Sequence, residues 1–133
     1  MLAISAAGAA EPEGDERSDL IVWREAAELA VKVENAMTKF TGSRSAADQM
    51  IRAADSIASN IAEGYGRGVN RDGLRFMTMA HSSADELEGH LRLAAMKNRL
   101  SPEVAADLIG HTRRVGYLIR RYSQSLERRR PKD

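Results

Sequence analysis

Arginine is the residue type with most chemistry to offer in this chain. Arg67, Arg71 and Arg75 recur at steps of four and cluster at one turn, while Arg113, Arg114, Arg120, Arg121, Arg128, Arg129 and Arg130 line the C-terminal stretch. A guanidinium is planar, permanently charged and matches phosphate bidentately. Phosphate contacts supply affinity for nucleic acid that does not depend on base sequence. The competing reading is a solvated, salt-bridged helix face, which is commoner. Few aromatics interleave with these arginines, so base stacking on single strands is not indicated and any binding would run through the backbone. The net charge is only +1, but it is unevenly placed. Glu11, Glu13, Asp15, Glu16 and Asp19 stand against Arg17 at the start, and Lys132 joins the arginines at the end, against Glu127 and Asp133. Such asymmetry points to a partner surface or a tail.

Other chemistries find little support. Gly64-x-Gly66-x-Gly68 follows a helical pattern rather than a strand and lacks Gly-Lys-Ser/Thr, so it is a poor phosphate loop. Di-metal bundles use Glu-x-x-His motifs with two further glutamates. Here Glu86 with His90, and Asp107 with His111, are each four apart, and the apolar stripes offer no inward carboxylates. His81, His90 and His111 read as surface or boundary residues. Ser59 and Ser83 have no evident histidine–carboxylate pair. There is no cysteine, which removes disulfides, thiolate zinc sites and thiol nucleophiles. The expectation is a non-enzymatic protein with no metal and no cofactor.

These side chains must be positioned by helices. The 133 residues suffice for one domain with a modest core. Residues 1–18 read as a disordered acidic tail, 19–126 as an all-α, antiparallel up-down four-helix bundle, and 127–133 as a frayed basic tail. No apolar run approaches the ~20 residues that span a membrane. The opening stretch lacks a basic leader, so the expected location is the cytoplasm. Helix one runs from Asp19 to Phe40, capped by Ser18 or Asp19, with Val22, Ala26, Leu29, Val33, Ala36 and Phe40 as its stripe. Trp23 lies off that stripe, as a boundary aromatic or a subunit anchor. Ser45 and Asp48 have capping-box spacing for helix two. Asn70 is a plausible cap for helix three, whose stripe is Met77, Ala80, Ala84, Leu87, Leu91 and Ala94. Ser101-Pro102-Glu103 starts helix four, with Leu108, Thr112, Val115, Ile119, Tyr122 and Leu126 inward.

The stretch Gln49 to Arg67, QMIRAADSIASNIAEGYGR, is the most distinctive. Met50, Ala54, Ile57 and Ile61 form its stripe, small residues surround it, and glycines end it. Arg52, Ser56, Ser59 and Glu63 form a second, polar stripe with Asn60 on its flank. That stripe is either a solvated face or a hydrogen-bonded network that includes Arg52, Asn60, Glu63, Arg75, Ser83 and Glu86. A short link makes helices two and three antiparallel neighbours. Arg52 then lies level with Glu86, and Glu63 with Arg75.

This stretch closely resembles the Q-x-x-R-A-x-x-S-I-x-x-N-I-A-E-G-x-G-R signature of a bacterial four-helix-bundle family. Its members include proteins encoded in intervening sequences of large-subunit ribosomal RNA genes and the accessory variability proteins of diversity-generating retroelements. Leu20, Val22, Trp23 and Ala26 resemble the family's L-x-V-W-x-x-A opening, and Ala80, Ser83, Glu86, Leu87 and Glu88 its A-x-x-S-x-x-E-L-E run. Thr41, Arg44 and Gly73 depart from the usual proline and acidic residues. The resemblance implies a homopentamer and a partner that is RNA, DNA or a reverse transcriptase. A protein-interaction module without nucleic-acid binding is the alternative.

Overall fold

The computed structural model describes the backbone of residues 15–129 and the side chains of residues 21–129. Four helices follow one another: α1 (Asp15–Ala36), α2 (Arg44–Arg67), α3 (Arg71–Met96) and α4 (Pro102–Arg129). A single turn of 3-10 helix, Met37–Lys39, extends α1. Helices adjacent in sequence pack together and α1 closes on α4, giving the up-down bundle.

Burial follows the 3.6-residue period. Met50, Ala54, Ile57 and Ile61 of α2, the six stripe residues of α3 and the six of α4 are all buried. In α1, Val22, Ala26, Leu29 and Val33 are buried, whereas Ala36 and Phe40 are half-buried. Each fully buried Leu, Ile, Val or Met contributes roughly 1.5–3 kcal/mol relative to exposure. Thr112 is the one polar side chain fully inside among the described residues, and its hydroxyl donates to the Leu108 carbonyl at 2.7 Å. That bond within the helix satisfies its donor.

The helix ends depart from several expectations. α1 is already helical at Asp15, so neither Ser18 nor Asp19 caps it, and residues 15–18 belong to the helix rather than a tail. Residues 1–14 and 130–133, with Arg130, lie outside the described residues. α2 is capped by Ser43, not by a Ser45–Asp48 box: Ser43 Oγ accepts from the Ala46 amide at 3.0 Å. Serine just after Gly42 can adopt the extended cap conformation, and Ser45 is already within the first turn. Asn70 does cap α3, accepting from the Gly73 amide at 2.9 Å. Ser101 caps α4, accepting from the Val104 amide at 3.2 Å.

Gly64 does not end α2. The helix continues to Arg67 and stops at Gly68, whose φ of 86° is the left-handed value glycine tolerates. Gly64 has another task. A methyl group there would sit 3.1 Å from the Gly73 carbonyl oxygen, and one on Gly73 would sit 2.1 Å from the Gly68 oxygen. Helices α2 and α3 therefore converge at their connected ends until only hydrogen fits between the backbones. At the opposite end the other two turns meet, with the Thr41 amide donating to the Arg99 carbonyl at 3.0 Å. The α2–α3 turn consequently shares its end of the bundle with the start of α1 and the end of α4.

Candidate nucleic-acid interface

That shared end collects charge from distant parts of the sequence. Arg67 closes α2, Arg71 opens α3, and Arg75 is one turn further on; all three are exposed. Arg120 of α4 reaches His81 of α3, Nη2 to Nε2, at 3.4 Å. With that register, Arg128 and Arg129 fall level with the first turn of α3. At 1.5 Å rise per residue, Arg67 of α2, Arg71 and Arg75 of α3, and Arg128 and Arg129 of α4 lie within about two turns of the bundle's end.

Two of them share an aromatic ring. The Arg67 Cζ lies 5.2 Å from the centroid of Phe76, and the Arg75 Cζ 5.0 Å. Such cation–π contacts stabilise by about 0.5–1 kcal/mol when exposed. Glu63 Oε2 accepts from Nε and Nη2 of Arg67 at 3.3 and 3.2 Å. Asp72 faces both arginines, 3.7 Å from Arg67 and 3.8 Å from Arg75.

The remaining arginines of α4 are exposed but do not form one stripe. Arg114 turns toward α1 and lies 3.4 Å from Glu25. Arg113 and Arg120 line a cleft against α3 with His81, Asp85, Glu88 and Tyr117. Arg121 packs on Tyr117, 5.8 Å from the ring centroid, and donates to its hydroxyl at 3.0 Å. The ten arginines thus divide into an end cluster and a set splayed over three sides, with Arg130 undescribed.

The expected polar network is smaller than its sequence outline. Ser56 and Ser83 hydroxyls are 2.9 Å apart across α2 and α3, and Asn60 Nδ2 donates to the Ser56 carbonyl and hydroxyl at 2.9 and 3.0 Å. Arg52 does not pair with Glu86, nor Glu63 with Arg75. Glu86 lies 3.6 Å from His90, Glu63 bonds Arg67, and Arg75 faces Asp72. On an exposed face a long side chain reaches a neighbour one turn along its own helix more cheaply than one across the groove.

A second polar cluster, unanticipated from sequence, joins α1 to α4. His111 Nε2 meets Glu25 Oε1 at 3.0 Å, and the Lys32 ammonium meets His111 Nδ1 at 3.1 Å and Asp107 at 2.8 Å. Lys32 can only donate, so neutral His111 carries its proton on Nε2 and gives it to Glu25. The Lys32 hydrogen bond holds the Asp107 carboxyl below its usual range. Glu25, Glu28 and His111 offer ligand atoms within 4.8 Å of one another. A cation on Nε2 would require the proton on Nδ1, where it would face the Lys32 ammonium, so this donor set is poorly arranged for metal.

Fold and site together define an antiparallel four-helix-bundle protein that carries Arg67, Arg71 and Arg75 at the end where α2 turns into α3. Among those residues no helix is long and apolar enough to cross a membrane. The family model of the 23S rRNA-intervening sequence protein matches residues 18–121. The chain belongs to that family. A crystal structure of a protein of unknown function from the S23 ribosomal protein family of Bacteroides thetaiotaomicron VPI-5482 superposes with a TM-score of 0.71. The two are 20% identical, and the match covers 80% of this chain and 98% of the other. At that identity the likeness concerns the fold. No curated relative matches the sequence.

Proposed function

We propose that this chain is a non-enzymatic, oligomeric helical-bundle protein that binds nucleic acid, or an RNA–protein complex, through the phosphate backbone. The observation that carries the reading is the gathering of Arg67, Arg71, Arg75, Arg128 and Arg129 at one end. The topology brings residues some sixty positions apart to one end of the bundle. Glu63 and Asp72, with Asp15, Glu16 and Asp19 at the start of α1 and Glu127 near the end of α4, offset much of that charge, so the cluster suits a weak backbone contact with steep salt dependence. Membership in a family described by its ribosomal RNA intervening sequences supports an RNA-linked role. The pentamer and the reverse-transcriptase partner are what the resemblance to retroelement accessory proteins implies.

A protein partner is the second reading, and one feature favours it. Trp23, Ala27, Ala30, Ala58, Ala62 and Gly66 line a shallow, largely apolar groove between α1 and α2. Glu63 and Arg67 border it at one end.

Fluorescence anisotropy with labelled RNA and DNA duplexes over a salt series tests the first reading, with light scattering for subunit number. Micromolar or tighter binding that weakens steeply with salt is expected from an assembly of five copies. Absence of binding at low salt would transfer the weight to the protein-partner reading.

A further inference from the structure

We infer that Arg67, Arg75 and Phe76 form a phosphate fork whose open edge is occupied by Asp72, and that a nucleic-acid phosphodiester binds there by displacing that carboxylate. This rests on the nucleic-acid reading above and names the side chains that carry it.

Both guanidiniums lie against the ring of half-buried Phe76, at 5.2 and 5.0 Å from its centroid. Two long side chains are thereby restricted before a ligand arrives, which reduces the entropy lost on binding. Asp72 then bridges them: Oδ2 lies 3.7 Å from Nη1 of Arg67, and Oδ1 lies 3.8 Å from Nη2 of Arg75. One oxygen faces each guanidinium, as the two non-bridging oxygens of a phosphodiester would. Both anions carry a single negative charge.

The carboxylate is a loose occupant. Charge-assisted N–H···O bonds are ~2.7–2.9 Å long, and both separations are far greater. The Asp72 side chain is 55% exposed. Glu63 acts differently, taking the Nε edge of Arg67 at 3.2–3.3 Å and leaving Nη1 toward the fork. Glu63 orients Arg67, and Asp72 screens the pair. The arrangement depends on the turn: Gly68 at φ 86° and the hydrogen-only contact at Gly73 bring the end of α2 within reach of the first turn of α3.

The test compares the full chain with Asp72→Asn, Arg67→Gln/Arg75→Gln and Arg113→Gln/Arg121→Gln, using a labelled RNA duplex and the matching DNA duplex at low salt. Removing one unit charge about 6 Å from a phosphate in water is worth a factor of about three, so Asp72→Asn should bind about threefold tighter. The Arg67/Arg75 variant should lose about tenfold, the effect of two such contacts. The Arg113/Arg121 variant should lose less. Circular dichroism checks each fold, and Asp72→Ser, which caps or opens helices readily, is the second neutral variant and should show the same gain. If the parent binds but neither Asp72 substitution nor the Arg67/Arg75 change alters affinity, the fork is wrong and the α4 arginines carry the binding. If no form binds, the nucleic-acid reading itself fails.

Discussion

Replacing Gly73 with alanine should destabilise the bundle, although alanine is the better helix former. Its new methyl carbon would stand 2.1 Å from the Gly68 carbonyl oxygen and 3.3 Å from the Gly64 oxygen. The first neighbour is backbone of the turn and cannot rotate aside, so α3 must withdraw by about 1 Å or the turn must open. Forced overpacking costs about 1–3 kcal/mol, and so close an approach to fixed backbone belongs in the upper half of that range, about 2–3 kcal/mol. Alanine returns up to ~1 kcal/mol of helix propensity. The net expectation is a loss of about 1–2 kcal/mol, which for a domain of this size lowers Tm by roughly 4–8 °C. Gly89 and Gly110 provide the controls, since nothing lies within 4 Å of a methyl group at either. Alanine there should stabilise by about 0.5–1 kcal/mol. Thermal and urea melts monitored by circular dichroism read all three. A Gly73→Ala protein as stable as the parent, or Gly89→Ala and Gly110→Ala as damaging as Gly73→Ala, would refute the close approach of α2 and α3. Because that approach also brings Arg67 to Phe76 and Asp72, Gly73→Ala should weaken any phosphate binding as well.

Arg52→Leu should change stability by less than about 0.5 kcal/mol, because the side chain is exposed and pairs with no acid; a large loss on urea denaturation would restore the Arg52–Glu86 pair. Ser83→Ala should cost about 0.5–1.5 kcal/mol by leaving Ser56 without its partner across the helices, read by the same assay. His111→Ala should cost about 1–2 kcal/mol, since its side chain is only 11% exposed and holds Glu25 and Lys32 together; an unchanged midpoint would contradict that role. Asp107 has its folded pKa depressed by Lys32, so its contribution is present above the unfolded pKa and fades as pH falls through the folded value. The contact is exposed and screened, so the effect stays well under about 1 kcal/mol. The stability gap between parent and Asp107→Asn should therefore narrow below about pH 4, and a gap that widened there would reverse the sign of the argument.

The core was legible because burial obeys one period per helix. All sixteen stripe positions expected in α2, α3 and α4 are buried. Alanine and glycine along α2 signalled close packing, although Gly64 reads as a terminator until its contact with α3 is seen. The level of α2 against α3 was also legible, since Ser56 faces Ser83 within one residue of the expected register. Side-chain pairing was not. Level positions on two helices do not meet when each acid has a base one turn away in its own helix, as Glu63 has Arg67. The Phe76 fork was hidden for another reason. Arg67 reaches Phe76 and Asp72 only because Gly68 reverses the chain with a positive φ, and the direction of that reversal is not written in the spacing of the residues. The His111 cluster joins residues 79 and 86 positions apart, so it required the rotational phase of both α1 and α4.

Phosphate binding at the end of the bundle that carries Arg67 and Arg75 is the decisive property. The most direct measurement is the salt dependence of duplex RNA affinity for the parent and for Arg67→Gln/Arg75→Gln. The logarithm of affinity should fall linearly with the logarithm of salt, and loss of two phosphate contacts should flatten the slope by about two units. An affinity independent of salt, or identical slopes for the two proteins, would contradict it.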